Sequence, residues 1–312
     1  MVEPQIILNA RQRAQQGLQI LRAELQKEFG DRNDIIVGVN GSYARQEVVE
    51  GSDVDIFFLG TRSADPATDA QEDFIPKLEA LGFKPPSSGG VFENALAVSA
   101  LRDNIGGPED VNVTITRRML FLLEGEWVFN ETGFQKARTE IIQAYLKDTS
   151  GGGHLSKYFL NDVVRYWRTI CIDYEQKVRF RNKPRGIRYI KLRFSRLLLY
   201  FAGVLAAAET YNLPTAEKHA VLERMLSLNP IDRIRKIAGE LAEPAIARYA
   251  EFLAALSDKE TRAELETLDP TYVNKTSFNR LRESASLFRE DLIQILYDKY
   301  GLQHEIIKAL LI

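Results

Sequence analysis

Cysteine occurs once in the 312 residues, at Cys171, so no disulfide framework can hold this chain together and a reducing cytoplasm is the expected setting. Cys171 sits in an apolar helical pattern with no histidine near it in sequence, and reads as a small core residue. Histidine is also scarce. His154, His219 and His304 lie far apart, match no metal-ligand spacing, and exclude a zinc site of the usual kind. Charge of one sign is not in excess: 41 Lys and Arg face 43 Asp and Glu, a net charge of −2. The whole-molecule field therefore makes no case for duplex DNA or a membrane surface as partner, although a local basic patch is compatible with it. No apolar run approaches the roughly 18 residues that span a bilayer, and the first residues show neither the basic nor the apolar region of a signal peptide. No fixed-period repeat is evident, which excludes a solenoid. What remains, 45% hydrophobic and 27% charged residues, is ordinary globular composition and enough chain for two cores.

One stretch stands out. Ile35 to Val39 is a short β-branched run, read as a buried strand, and Gly41-Ser42 breaks it into a turn that leads to Arg45. A second apolar strand follows from Ser52 to Leu59, with Asp53 and Asp55 at its entrance. Side chains alternate along a strand, so these two aspartates share one face while Val54 and Ile56 share the other. Two carboxylates side by side with no basic residue between them repel, and hard oxygen donors at that spacing suit Mg²⁺ or Mn²⁺.

Gly-Ser, a spacer of about ten residues and Asp-x-Asp on a strand together resemble the signature of the DNA polymerase β-like nucleotidyltransferase superfamily. The resemblance implies that the turn at Gly41 and Ser42 holds nucleotide phosphates and that Asp53 and Asp55 hold two divalent metals; Arg45, just after the turn, is a further candidate for nucleotide contact. Glycine allows close approach of the backbone to phosphate oxygens, and serine can donate to them. The proline- and glycine-rich stretch from Phe83 to Val91 resembles the corresponding part of PII-protein uridylyltransferase and its relatives.

The superfamily carries a third carboxylate on a neighbouring strand. The run Met119 to Phe129 reads as a buried strand and resembles the segment where the uridylyltransferase-like relatives have an aspartate; here it offers Glu124, with Glu126 two residues on. The rival is Asp110, ahead of an alternating Val111 to Ile115 that also reads as a strand. Glu124 is the preferred metal ligand and general base, and an ordinary solvated strand end is the competing reading.

Around these motifs, residues 4–29 read as an amphipathic helix ended by Gly30, residues 61–70 as a polar loop, and Phe74 to Leu81 as a short helix. Thr149-Ser150 and Gly151-Gly152-Gly153 mark the expected boundary between a domain at 1–150 and an all-helical domain at 151–312. Helices are expected over Tyr158 to Cys171, Ile187 to Ala208, Ala216 to Ser227, Ile231 to Leu256 and Ser277 to Tyr300, with a short tail from His304. Lys177 to Arg196 holds nine basic residues and no acid; Arg181, Lys183 and Arg185 are expected in a loop, and Arg185, Arg188 and Lys191 are the candidates for phosphate or polyanion contact. A solvated helix face is the alternative. Helical second domains of kanamycin nucleotidyltransferase and poly(A) polymerase close over their nucleotide, and that architectural resemblance makes the cleft between halves the expected site.

The expected protein is thus α/β (α+β), with a small mixed-sheet nucleotidyltransferase domain followed by an all-helical bundle. By resemblance it moves a nucleoside monophosphate from an NTP, with ATP the family's commonest donor, to an acceptor hydroxyl and releases pyrophosphate. The acceptor is a protein, an RNA or a small molecule. The alternative from another class is a nucleotide-binding regulatory module without turnover.

Overall fold

The computed structural model describes residues 3–86, 89–146, 154–180, 184–267 and 276–311. The chain forms two compact units, one of Leu8–Gly152 with Leu213–Asn229, the other of Met1–Ile7, Gly153–Asn212 and Pro230–Ile312. The architecture is α+β, a small mixed sheet followed by helices.

The first unit is built on helix α1 (Gln5–Phe29) and a four-stranded sheet. Strands β1 (Ile35–Asn40), β2 (Asp55–Gly60), β3 (Leu96–Ala97) and β4 (Glu126–Phe129) lie in the order β3-β2-β1-β4. β1 runs antiparallel to β2 and β4, and β2 parallel to β3. Ala14, Leu18, Leu21, Leu25 and Phe29 recur on one face of α1 and bury it against Val37, Val39, Ile56 and Phe58 on one side of the sheet. The opposite side carries Gly38, paired with Phe57; Phe57 stacks on Phe92 at 4.8 Å and meets Phe121 edge-on at 6.0 Å. A one-turn helix α2 (Gly41–Ala44) follows β1.

Three sequence expectations in this unit are corrected. The polar stretch read as a loop contains helix α3 (Asp65–Phe74): Pro66 is tolerated in its first turn, and Ala67, Ala70 and Phe74 bury its inner face. Neither the run at Val111 to Ile115 nor that at Met119 to Leu123 is a strand. After α4 (Val98–Arg102), both belong to α5 (Asn112–Leu123), whose last five residues are all buried. The C-terminal half of α5 is buried almost all round and shows no 3.6-residue period, so its apolar run cannot be told from a buried strand. Glu124 therefore caps the end of a helix, and the strand begins at Glu126. α6 (Glu131–Leu146) completes the first pass of the unit.

The second unit is all-helical. It contains α7 (Lys157–Phe180), α8 (Arg185–Lys191), a π-helical turn at Leu192–Arg196 and α9 (Leu197–Ala208). The chain then returns to the sheet-bearing unit for α10 (Thr215–Leu226), which packs on α6, where the Thr139 hydroxyl donates to Glu223 Oε1. It re-enters the helical unit as α11 (Pro230–Ala238), α12 (Glu243–Ser257), α13 (Lys259–Thr267), α14 (Thr276–Tyr300) and α15 (Glu305–Leu311). The single long helix expected over Ile231 to Leu256 is interrupted by a 3₁₀ turn at Gly239–Ala242. α8 starts at Arg185, so that residue is helical rather than in a loop; Arg181 and Lys183 lie outside the described residues, as does the triglycine boundary. Among the described residues no helix is long and apolar enough to cross a membrane.

Candidate active site

The site is a corner where β1 ends and β2 begins. Asn40, the last residue of β1, pairs with Asp55, the first of β2. Val54 and Ile56 are buried in the core while Asp53 and Asp55 are half-buried, so the alternation expected from sequence puts both carboxylates on the outer side of this edge. Asp53 bridges Lys84 in parallel, and the Val54 N–H donates to the Lys84 carbonyl at 3.0 Å. The chain after Phe83 is thereby pinned beside the acidic pair, with the Phe83 ring 5.8 Å from that of Tyr43. Burial pushes the Tyr43 phenol up from its ordinary range, and the Asp53 charge adds to the effect.

Gly41 is the hinge of this corner. Its φ of +69° lies in the left-handed region, and a Cβ built on it would come within 2.2 Å of Asp55 Oδ2. The Asp55 carboxylate occupies the place that any side chain at Gly41 would need. Ser42 is half-buried, and its carbonyl accepts the Glu47 N–H at 2.8 Å.

Behind the turn lies a buried ionic cluster. Arg45 Nε donates to Glu47 Oε1 at 2.7 Å, and Arg45 Nη1 pairs with Glu124 Oε2. The side chains of Arg45, Glu47 and Glu124 are 7%, 4% and 1% exposed. Glu124 Oε1 accepts the Gly41 N–H at 3.1 Å. The Gly41 amide is engaged by a carboxylate, and Arg45 is held inside the protein between two acids. Neither residue gave a sequence signal for this: Glu124 lies 79 positions from Arg45.

Asp110 is engaged elsewhere. Its Oδ2 accepts from Arg118 at 2.6 Å and from the Gly106 N–H at 2.9 Å, and Arg118 also reaches Tyr145 Oη and the Leu101 carbonyl. Those partners tie α4, α5 and α6 together, and none belongs to the Gly41–Asp55 corner. Glu126, opposite Val39 on β4, accepts from Arg22 of α1 at 2.7 Å, and burial raises its carboxyl above the usual range while Arg22 and Arg138 pull the other way. Among the described residues no three His, Cys, Asp or Glu side chains are gathered as a cation cluster. The structure brings Gly41, Ser42, Asp53 and Asp55 together, with Glu124 and Arg45 behind them. The donor set at the front of that corner, two half-buried carboxylates one residue apart at the entrance of β2, is of the kind a hard divalent cation takes.

Arg185, Arg188 and Lys191 lie on α8 of the helical unit. Part of the basic run is neutralised within α7, where Lys177 pairs with Asp173 at 2.7 Å and Arg179 with Glu175 at 3.0 Å. Arg193 instead bonds the Tyr189 hydroxyl at 3.0 Å.

No curated protein matches the chain. The family model of the nucleotidyltransferase domain matches residues 18–86, which run from the second half of α1 through the glycine turn and the acidic pair to the segment pinned beside Asp53. Over those residues the chain matches the nucleotidyltransferase domain, which is consistent with the polymerase β-like superfamily and supports a nucleotidyltransferase activity.

Proposed function

We propose that the protein transfers a nucleoside monophosphate, AMP in the first instance, from an NTP to a hydroxyl of a protein, RNA or small-molecule acceptor. The acceptor oxygen forms a bond to the α-phosphorus, the bond from that phosphorus to the bridging oxygen breaks, pyrophosphate leaves, and the acceptor proton is lost. The observation that carries this reading is the Gly41 corner, where a left-handed glycine clears the space that the Asp55 carboxylate fills, next to Asp53. Asp53 and Asp55 would hold Mg²⁺ or Mn²⁺. When bound, such a cation would lower the pKa of the acceptor hydroxyl and offset charge on the phosphates. Ser42 would orient a phosphate, and the basic residues of α8 would bind a polyanion.

A second reading, a nucleotide-binding regulatory module without turnover, is favoured by one observation: both candidates for a third carboxylate, Glu124 and Asp110, are buried in ion pairs. A single-turnover assay with α-labelled ATP, Mg²⁺ or Mn²⁺ and cell lysate separates the two. Transfer of label to an acceptor with release of pyrophosphate supports the enzyme, and nucleotide binding with no transfer supports the module.

A further inference from the structure

We propose that Glu124 is a positioning residue, which fixes the Gly41–Ser42 turn through the Gly41 N–H and Arg45 and thereby sets where the Asp55 carboxylate stands. The inference rests on the nucleotidyl-transfer reading for its kinetic consequences, but the mechanical link stands on geometry alone.

Glu124 is held firmly at its own end. Its N–H closes the last turn of α5 on the Leu120 carbonyl at 3.1 Å. The next residue must be small, because a Cβ on Gly125 would lie 2.4 Å from the Phe121 carbonyl oxygen. The Gly125 carbonyl in turn accepts from Arg138 of α6 at 2.8 Å. From this anchor Oε1 accepts from the Gly41 amide and Oε2 from the Arg45 guanidinium. Both partners only donate, and an ionised carboxylate only accepts. Arg45 stands between Glu47 and Glu124 in surroundings almost closed to solvent.

At the far end of the link, glycine is the residue least able to hold its own conformation. An amide fixed by a buried carboxylate holds the Gly41 backbone at its positive φ. The Asp55 carboxylate fills the space beside that backbone, so a shift of the Gly41 peptide is felt there directly. The chain of contact is Glu124, Gly41, Asp55.

Glutamine is a revealing substitution because it offers one acceptor and one donor group, and one of its two ends must then face another donor. In the full-length Glu124→Gln variant we expect turnover to fall by about 100-fold, the scale of an ångström-level misplacement, with the Michaelis constant for NTP changed by less than about threefold. Amide exchange of the peptide containing Gly41 should quicken. Mn²⁺ binding, followed by electron paramagnetic resonance without nucleotide, should stay within about threefold of wild type, whereas Asp55→Asn should lose it. Combining Glu124→Gln with Arg45→Lys should be clearly less than additive. Loss of Mn²⁺ binding in Glu124→Gln with unchanged exchange at Gly41 would make Glu124 a direct ligand and overturn the proposal. So would a wild-type Gly41 amide that exchanges at the unprotected rate, a test that needs no variant to fold. Activity of Asp53→Ala and Asp55→Ala tests the reaction, and exchange at Gly41 tests the link, so the two readings can fail separately.

Discussion

Gly41 has no room for a methyl group, and its backbone sits where a non-glycine residue is strained by about 1–2 kcal/mol. Gly41→Ala should therefore cost more than that strain in activity terms, because the new carbon must push the Asp55 carboxylate aside. We expect turnover to drop by roughly two orders of magnitude while the melting temperature falls only by the few degrees that such strain implies. Wild-type turnover in this variant would mean that Asp55 need not stand where it does. Asp53 and Asp55 are half-buried and lie outside the core, so Asp53→Ala and Asp55→Ala should leave the fold intact and abolish transfer. Full activity in both, measured with labelled ATP, would remove the acidic pair from the reaction. At this scale the sequence was informative where chemistry and spacing are local. The glycine, the serine and both aspartates lie within 15 positions of one another and do form one corner. The partners of Arg45 and of the Gly41 amide were illegible, because nothing local marks an acid at position 124 as the one that reaches back to them.

Elements were legible in proportion to how clearly one of their faces meets solvent. α1 keeps its 3.6-residue stripe because its outer face is wet, and it stands where periodicity places it. α5 loses that stripe because α4, the sheet and α6 cover it, and its apolar run looked like a strand. The misreading had a consequence for Asp110, which appeared to stand before a strand and is instead a buried staple between helices. Asp110→Ala leaves Arg118 charged, buried and short of its nearest acid, a loss of about 3–5 kcal/mol. Thermal unfolding should show it, with activity per folded molecule retained; unchanged stability would refute the staple. Glu126 on β4 gives an element-level pH signature. Its carboxyl is raised in the folded state by burial, so between the ordinary carboxylate range and its raised value the folded chain holds a proton that the unfolded chain has released. Stability from this group is present below that window and is lost as pH rises through it. Glu126→Gln, which keeps an acceptor for Arg22, should flatten the fall in stability above the ordinary carboxylate range; an unchanged slope in denaturant titrations would contradict the assignment.

At the scale of the molecule, a linear boundary near position 150 could not foresee that Leu213–Asn229 leaves the helical unit to lay α10 on α6. Such returns depend on long-range packing that no local composition records. The distribution of charge is different, since it can be read from sequence and then checked against pairing. The chain as a whole is nearly neutral at −2, yet Lys177 to Arg196 carries nine cations and no acid. Lys177 and Arg179 are paired with acids one turn earlier on α7, which is how a solvated helix face behaves. Arg185 and Arg188 are half-buried on α8, and burial raises the Tyr174 phenol while Arg185, by hydrogen bonding and then by charge, holds that rise back. A half-buried guanidinium loses part of its hydration and is well suited to a planar, charge-assisted contact with phosphate, worth about 1.5–3 kcal/mol. Charge reversal at both positions should thus raise the Michaelis constant for NTP, or for a polyanionic acceptor, by at least about tenfold, a change of about 1.4 kcal/mol. The melting temperature should move little by comparison. Salt separates the two ligands: binding of a nucleic-acid acceptor should weaken steeply and log-linearly with salt, and the reversed variant should have a shallower slope. Unchanged Michaelis constants together with a large loss of stability would show that these cations serve the helical unit alone.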